Sequence, residues 1–487
     1  MRKFFITACL AIAVAGDCFL AGALSLHSRD ARALKKELSR IPGVHDVHFI
    51  FRPPYDDCLL FTYDQPVEYM KDSAGNLYMD ASGNPVAADG LGYFRQRVML
   101  GYQGREAGTV MVTEGYSIER YLNPERPSYQ NELAKLFGLN EVLVEHRYFM
   151  PSAPLKSGKQ YTKDQPKEDF ELEWDHLTTA NAASDHHRVY RLLKDILRGG
   201  WVSTGASKGG LTSVMYACYY PEDMNVHVPY VAPFCVTQDD PRMADFLLNT
   251  VGTEEQRAHH NGLVVETLRR KAVFWDRFVQ MCDSAEWEFQ LPLDTIYQLA
   301  ALDMPVGLWM YYPDTLELPA LDCPDDTLWH WLEDHLGPDG LSCDRMAIPY
   351  DIQAAKELGC YCYDVDFCQG EGMTLDHGDG LWQITYLPQD RTFDLDTTMH
   401  HSVEQFLRTT TVPILCINGQ NDPWTSVGFS PLFEKDGWNR DSVVFHAHDN
   451  LYFYTLPRGN HGSKIEKFEE PVRSAIMDQI RHWMDLN

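Results

Sequence analysis

The hydrophobic positions in the first part of the chain follow two repeats in turn, one typical of strands and one typical of helices. Residues 94–100 alternate as a strand does, and residues 109–112 form a continuous run rich in β-branched side chains, which predicts a buried central strand. Helices are predicted at 131–137 and 169–197, a strand at 141–149 and a short buried strand at 201–204. Because alternating strands and helices are typical of a largely parallel sheet, we predict the α/β fold class.

This pattern changes between residues 235 and 400. The spacing there becomes helical, most clearly at 254–283, and tryptophans concentrate. The α/β pattern then resumes and continues towards the C-terminus. We therefore predict a core made of residues 24–234 and 401–487, interrupted at 235–400 by a mostly helical insertion that forms a cap.

The N-terminus has the parts of an export signal. A basic pair is followed by an apolar stretch at residues 4–15 and by small residues at 21–23 that are typical of a cleavage site. We predict that residues 1–23 are a signal peptide and that the mature protein is periplasmic or extracellular. A lipid anchor on Cys18 is an alternative, although Asp17 occupies a position that usually carries a small residue. After the signal, no apolar run is long enough to span a membrane.

The charge of the chain argues against some classes of partner. Asp and Glu number 70 against 42 Lys and Arg, which gives a formal net charge of −28. Such a field repels phosphate backbones and anionic membranes, so we expect no nucleic-acid partner. It attracts cations, including the free amino group of a peptide, although it can equally serve solubility alone.

The cysteines suggest disulfides rather than a metal site. Cys323, Cys343, Cys360, Cys362 and Cys368 cluster in the sequence, and an oxidising compartment permits disulfides among them. Cys360 and Cys362 are separated by one residue, which does not match zinc-ligand spacing, and no pair of histidines accompanies them. We expect neither a metal nor another cofactor.

A possible nucleophile follows the strand predicted at 201–204. Residues 205–209 spell G-x-S-x-G, with Ser207 at the centre, and a helix rich in small residues is predicted directly afterwards. A strand, a sharp turn and a helix form the nucleophile elbow of α/β hydrolases, in which the serine hydroxyl stands above the sheet edge. We therefore predict an α/β-hydrolase core with Ser207 as nucleophile. The alternative is a structural turn, in which small residues are also common.

A serine hydroxyl needs a histidine as general base and an acid that orients the histidine. In α/β hydrolases the order along the chain is serine, acid, histidine. Asp422 follows the strand predicted at 412–419, and His461 follows the strand predicted at 451–454. We predict that Ser207, Asp422 and His461 form a catalytic triad. The alternatives are an Asx turn at Asp422 and a surface loop residue at His461.

The oxyanion of a tetrahedral intermediate needs two backbone donors. The N–H of Lys208, directly after the nucleophile, is one candidate. The loop of Glu114, Gly115 and Tyr116 follows the strand predicted at 109–112 and is expected to supply the other. We predict that Lys208 forms an oxyanion hole with Gly115 or Tyr116.

Short motifs spread over nearly the whole mature chain point to one family. They read FRQR at 94–97, EHRYF at 145–149, STGASKGG at 203–210, YYPED at 219–223, YVAP at 230–233, NGQNDPW at 418–424 and GNHGS at 459–463. With these motifs the chain resembles the secreted bacterial prolyl tri/tetrapeptidyl aminopeptidases and, more distantly, the lysosomal prolyl carboxypeptidases and dipeptidyl peptidase 7-type enzymes. The resemblance implies a serine exopeptidase that releases tripeptides or similar short peptides, often after proline, from free N-termini. It implies the same triad of Ser207, Asp422 and His461.

An aminopeptidase must hold the substrate ammonium at a fixed distance from the serine, which calls for carboxylates at the closed end of the cleft. The carboxylate candidates are Glu114, Glu145, Asp364 and Asp366. The alternative for Glu145 is a buried partner for Arg147 or another core arginine. The aromatic candidates for packing on a proline ring are Trp309, Tyr311, Tyr312 and Trp424. These aromatic side chains could equally belong to an ordinary cap core.

Two other functions remain open. The same triad beneath a lipid-facing cap would make a secreted carboxylesterase or lipase, but an acidic cap rich in tryptophan and tyrosine favours peptides. The second alternative is a non-catalytic binding protein on a hydrolase scaffold, and the complete set of triad residues argues against it. The sequence leaves the oligomeric state open.

Overall fold

The computed structural model describes residues 27–486, except 74, 124, 127–128, 159–171, 343–347, 377, 379 and 388–390. The predicted signal peptide at 1–23 and Cys343 therefore lie outside the described residues.

A ten-stranded sheet forms the centre of the described chain. Its strands are β1 (Val44–Phe49), β2 (Asp57–Pro66), β3 (Tyr93–Tyr102), β4 (Thr109–Thr113), β5 (Asn140–Val144), β6 (Trp201–Ala206), β7 (Val226–Tyr230), β8 (Ile414–Gly419), β9 (Val444–His448) and β10 (Leu451–Leu456). Their order in space is β1-β2-β3-β5-β4-β6-β7-β8-β10-β9. The strands from β5 to β10 in that order are parallel, and β1, β2, β3 and β9 are antiparallel. The sheet is therefore largely parallel, as predicted.

Helices cover both faces of this sheet. The α-helices outside the insertion are α1 (Arg29–Leu38), α2 (Glu119–Leu122), α3 (Glu132–Phe137), α4 (Thr179–Leu193), α5 (Lys208–Tyr219), α14 (Pro423–Ser426) and α15 (Val472–Trp483). On β4, Met111 packs in a hydrophobic cluster with side chains of α1 and α4, whereas Val110 and Val112 pack in another with side chains of α3 and α15. Burial on both faces explains why this strand is a continuous apolar run in the sequence.

Between β7 and β8 the described chain adds helices and no strand of the sheet. The α-helices there are α6 (Arg242–Asp245), α7 (Glu254–Arg269), α8 (Lys271–Ser284), α9 (Leu293–Tyr311), α10 (Asp325–His335), α11 (Ile348–Gln353), α12 (Leu381–Tyr386) and α13 (Thr398–Thr409). Buried Leu299 and Ala300 of α9 belong to the same hydrophobic cluster as Leu211 and Val214 of α5. Apolar burial therefore joins the inserted segment to the core. Helix α13 crosses the boundary that we expected at residue 400.

Several local predictions differ from the structure. The segment 254–283 is two helices, because the backbone leaves the helical region at Arg270. The strand expected over 141–149 ends at Val144, and Tyr148 beyond it has a positive φ of 72°. Helix α4 begins only at Thr179, where the hydroxyl of Thr178 accepts a hydrogen bond from a backbone N–H of the first turn. The pattern did not indicate α1 or β9.

One buried carboxyl group of the core has no basic partner among the residues that the structure describes. Glu141 on β5 is fully buried, and its Oε2 accepts hydrogen bonds from the Tyr55 hydroxyl at 2.6 Å and the Asn131 N–H at 3.1 Å. Its Oε1 has no hydrogen-bond partner among the described residues. Burial raises the pKa of the Glu141 carboxyl to about 7.

The structure does not support disulfides among three of the clustered cysteines. Cys323, Cys360 and Cys368 are free thiols, so no disulfide joins these three.

None of the helices in the described part of the chain combines the length and apolar character that a membrane-spanning segment needs.

Candidate active site

The turn that carries Ser207 is strained. Strand β6 ends at Ala206 and α5 begins at Lys208, so Ser207 alone makes the change of direction, with φ 56° and ψ −127°. Side chains other than glycine rarely adopt a positive φ, and such strain is concentrated at functional sites. The Ser207 N–H donates to the Tyr230 carbonyl at 2.9 Å, which ties the turn to the neighbouring strand β7.

The two glycines of the motif are required by packing. A Cβ on Gly205 would lie 2.3 Å from the carbonyl carbon of Gly209, and a Cβ on Gly209 would lie 2.9 Å from the Thr113 carbonyl oxygen. Both distances are too short for any side chain. The G-x-S-x-G spacing thus allows β6, the turn and α5 to fold back on each other, as in a nucleophile elbow.

Asp422 and His461 meet although 39 residues separate them. Asp422 follows β8, His461 follows β10, and β8 and β10 are parallel neighbours, so both loops leave the same sheet edge. His461 Nδ1 lies 3.0 Å from Asp422 Oδ1, and the Asp422 side chain is fully buried. Asp422 also accepts a hydrogen bond from the Trp424 N–H at 3.2 Å, so the Asx turn that we gave as the alternative exists alongside the histidine contact.

The His461 side chain is only 10% exposed, which does not fit a surface loop residue. Its backbone N–H donates to the Met310 carbonyl of α9 at 3.1 Å, so the inserted segment touches the histidine loop directly. His461 Nε2 has no hydrogen-bond partner within the described chain. With Nδ1 bonded to a carboxylate, Nε2 is the nitrogen available to accept a proton.

Ser207 opens into a cavity of about 220 Å³ between the core and the inserted segment. The lining residues are Tyr116, Ser207, Lys208, Pro233 and Trp424 from the core, and Asp303, Val306, Gly307, Met310, Tyr311, Tyr350 and Tyr361 from the insertion. His461 lies beside this cavity, with its ring centroid 6.4 Å from that of Trp424.

The predicted oxyanion loop packs on the first turn of α5. A Cβ on Gly115 would lie 2.7 Å from Lys208 Cβ and 2.8 Å from the Gly209 nitrogen. Tyr116 lines the cavity together with Ser207 and Lys208. Because the first N–H groups of a helix have no partner within it, the Lys208 amide is suited to bind an oxyanion. The structure thus brings the predicted oxyanion residues to the nucleophile.

Glu145 has the structural role that we considered as its alternative. It is fully buried, and its two oxygens accept hydrogen bonds from Nε and Nη2 of Arg97 at 2.9 and 2.6 Å. The Ser117 hydroxyl donates to it as well, at 2.9 Å. The partner is Arg97 and not Arg147, which pairs with Asp185. Glu145 therefore holds the core together and is not a ligand for a substrate ammonium.

Glu114 also lies away from the cavity lining. It is buried and accepts a hydrogen bond from the Tyr121 hydroxyl at 2.8 Å, with Arg120 at 3.5 Å. Its carboxylate is thus directed towards α2 rather than towards a substrate.

Most of the residues predicted in the insertion face elsewhere. Trp309 is buried and stacks on His260, with ring centroids 4.8 Å apart, in a second cavity that does not include Ser207. Tyr312 packs on His335 at 5.1 Å. Asp364 lines a third cavity and accepts a hydrogen bond from the N–H of exposed Asp366. Trp309 is therefore cap core, as in our alternative reading of the aromatic residues.

Two predicted substrate-binding residues do line the Ser207 cavity. Tyr311 is 67% exposed, and Trp424 is half-buried next to His461. Their rings offer the aromatic surface against which a proline ring packs well.

The prediction missed Asp303, a carboxylate of α9 that lines the same cavity. Its Oδ1 accepts hydrogen bonds from the hydroxyls of Tyr361 at 2.9 Å and Tyr363 at 3.1 Å. Burial raises the pKa of both tyrosines, with the Asp303 charge adding to the effect, so they remain protonated donors. The sequence did carry a signal, because Asp303 is a lone charged residue inside the apolar stretch 299–310.

Comparison with known proteins gives one strong similarity at the level of sequence. Residues 30–484 match the family described as PS-10 peptidase S37. The prolyl tri/tetrapeptidyl aminopeptidase of Streptomyces mobaraensis is 28% identical over 458 residues, which cover 92% of this chain and 84% of that protein.

The similarity of the chain to solved structures is low both in sequence identity and in TM-score. The proline iminopeptidase of Mycobacterium smegmatis is 14% identical with a TM-score of 0.38, and VinJ is 12% identical with a TM-score of 0.37. Each alignment covers 80% of this chain and 96% of the other.

Proposed function

The chain belongs to the PS-10 peptidase S37 family, and from that premise we propose that it releases short peptides from the free N-termini of its substrates. It is a serine peptidase with an α/β-hydrolase core. The similar Streptomyces mobaraensis protein is named for prolyl tri- and tetrapeptide release, and we propose the same class of product here. We also propose that the protein is exported, on the basis of its N-terminal residues 1–23, which lie outside the described residues.

The proposed mechanism proceeds through an acyl-enzyme. The Ser207 hydroxyl attacks the scissile carbonyl while His461 Nε2 takes its proton, and Asp422 stabilises the imidazolium that forms. The backbone N–H groups of Lys208 and Tyr116 bind the oxyanion. His461 then gives its proton to the leaving amine, and the new N-terminus departs. Water, deprotonated by His461, hydrolyses the ester on Ser207 and releases the short peptide.

The observation that carries the aminopeptidase assignment is the Asp303 carboxylate in the Ser207 cavity. Asp303 comes from the inserted segment, whereas Ser207 comes from the core, and two tyrosine hydroxyls fix the orientation of Asp303. A fixed carboxylate at a set distance from the nucleophile is what an exopeptidase needs to bind a substrate ammonium. In a pocket that binds a lipid chain, a charge in this position would be unfavourable.

The test compares free and N-acetylated forms of one Ala-Ala-Pro anilide. Acetylation removes the ammonium and leaves the scissile bond unchanged, so we expect kcat/KM to fall at least about a hundredfold. The Ser207→Ala variant measures the background rate, and a short nitrophenyl ester tests for esterase activity. Equal cleavage of both anilides would reject the aminopeptidase and leave an endopeptidase or an esterase. Fluorophosphonate labelling that fails at Ser207 would reject a catalytic serine altogether.

A further inference from the structure

The side chain of Lys208 is buried, which is unusual for a lysine. Its Nζ donates a hydrogen bond to the Gly115 carbonyl at 2.7 Å. The rings of Tyr116 and Phe149 enclose it, with centroids 5.8 and 5.7 Å from Nζ. Since burying an ammonium group is unfavourable, a lysine at this position calls for a reason beyond packing.

The acceptor of this hydrogen bond is part of the predicted oxyanion hole. The carbonyl of Gly115 and the N–H of Tyr116 belong to one trans peptide unit. In a planar trans peptide the C=O and N–H point in opposite directions. Because the buried Lys208 Nζ binds the Gly115 oxygen, the Tyr116 N–H points away from Lys208 Nζ. Tyr116 also lines the Ser207 cavity.

We propose that Lys208 is a positioning residue whose side chain fixes the Gly115–Tyr116 peptide plane and thereby holds the Tyr116 N–H as the second oxyanion donor. The inference rests on the proposed function, in which this N–H binds the oxyanion. One residue then serves both donors, because its backbone supplies the first N–H and its side chain orients the second. The close approach of Gly115 to Lys208 Cβ, which leaves no room for another side chain, belongs to the same arrangement.

The surroundings of Lys208 keep a donor at Nζ over a wide pH range. Burial lowers the pKa of the Lys208 ammonium to about 7, and the charges of Glu114 and Glu357 oppose this shift. Burial also lowers the pKa values of His146 and His186, so these neighbouring side chains are neutral near pH 7. A neutral amine still has N–H donors, so the contact with Gly115 does not depend on one protonation state.

The chain offers a matched control for this lysine. Lys356 also lies largely inside the protein, and its Nζ donates to the carbonyls of Trp174 at 2.6 Å, Leu177 at 3.2 Å and Asp175 at 3.4 Å, none of which lines the Ser207 cavity. Burial lowers its pKa as well. Lys208→Met and Lys356→Met therefore remove the same kind of hydrogen bond, and only the first contacts the oxyanion loop.

The experiment measures kcat and KM on the Ala-Ala-Pro anilide, the rate of fluorophosphonate labelling and the thermal midpoint. For Lys208→Met we expect kcat and the labelling rate to fall about a hundredfold, the usual effect of losing one oxyanion donor, with KM within about threefold of wild type. Lys208→Arg keeps a donor and should restore part of kcat. Lys356→Met should lower the thermal midpoint but leave kcat within about threefold of wild type.

The proposal is overturned if Lys208→Met keeps kcat within about threefold of wild type, or if both Met variants lose activity in proportion to stability. If Lys208→Met does not fold, Gly115→Ala tests the same contact from the other side, because its Cβ would displace the peptide from Lys208. Unchanged kcat in a folded Gly115→Ala variant would also overturn the proposal. Fluorophosphonate labelling needs no peptide substrate. If the wild type is labelled but cleaves no anilide, the proposed substrate is rejected, and the labelling rates of wild type and Lys208→Met can still be compared.

Discussion

Replacing Asp303 by Asn should weaken the recognition of a free N-terminus and little else. Asparagine has the same shape and keeps an Oδ1 that accepts hydrogen bonds from Tyr361 and Tyr363, so the side chain should stay in place. Only the negative charge is removed. The variant thus separates the charge of this residue from its position.

The expected effect follows from the half-buried position of Asp303. An ammonium and a carboxylate at about 4 Å attract each other by about 4 kcal/mol at an effective dielectric constant near 20. Desolvation and the competing tyrosine hydroxyls reduce this, so we expect a net loss of about 2–3 kcal/mol. Since 1.36 kcal/mol corresponds to a factor of ten, kcat/KM should fall about 30- to 150-fold.

The assay is a cycle of two enzymes and two substrates. Wild type and Asp303→Asn are each measured with free and N-acetylated Ala-Ala-Pro anilide, and the variant should lose efficiency only with the free peptide. Asp364→Asn is the matched control, because Asp364 lines a different cavity of the insertion. An equal loss with both substrates would show that Asp303 is structural. No loss with either would mean that another group binds the ammonium.

Three further variants test the roles of other residues. Ser207→Ala should lower kcat about a millionfold and leave the circular dichroism spectrum unchanged, and substantial residual peptidase activity would reject the nucleophile. Glu145→Gln should destabilise the protein by about 2 kcal/mol, because Arg97 loses its buried charged partner. KM should stay unchanged in the folded fraction, and a selective rise in KM would show that Glu145 binds the substrate. Glu141→Gln should remove a pH dependence of stability. Because the pKa of Glu141 is raised in the folded state, the folded protein retains a proton that the unfolded chain loses from about pH 4.5 upwards. The free energy of unfolding of the wild type should therefore fall by about 3 kcal/mol between pH 4.5 and 7. Denaturation midpoints of the two proteins that shift in parallel with pH would contradict this.

The sequence predicted the parts of the candidate site that depend on local backbone geometry. Gly205 is required by its close contact with Gly209 four residues later, so the turn is visible as a motif, although Gly209 itself packs against the distant Thr113 carbonyl. Asp422 and His461 were found because each follows a strand, and parallel neighbouring strands bring their loops to one sheet edge. Regular structure therefore makes distant contacts predictable when both residues lie at strand ends.

The roles of residues that depend on the packing of side chains were left open between alternatives by the sequence. Glu145 is separated by 48 residues from Arg97, and nothing in the local sequence distinguishes a paired carboxylate from an available one. Trp309 faces a second cavity because α9 presents different sides to different neighbours. Asp303, on the same helix, points to the Ser207 cavity. The rotation of α9 about its axis decides which of these residues faces a substrate. Because α9 is buried on most sides, the spacing of its apolar residues does not predict this rotation.

The same helix leads to a prediction for the length of the released peptide. Asp303 and Met310 both line the Ser207 cavity, and the Met310 carbonyl binds the backbone N–H of His461. At 1.5 Å per residue, these two positions on α9 are about 10 Å apart along the axis. An extended chain covers at most about 3.5 Å per residue, so three residues span about 10 Å, two about 7 Å and four about 14 Å. If Asp303 binds the ammonium while the scissile bond lies near His461, a tripeptide fits best. In a series of anilides, Ala-Ala-Pro should therefore give a higher kcat/KM than Ala-Pro or Ala-Ala-Ala-Pro, whereas a maximum at the dipeptide would place the ammonium site closer to Ser207 than Asp303.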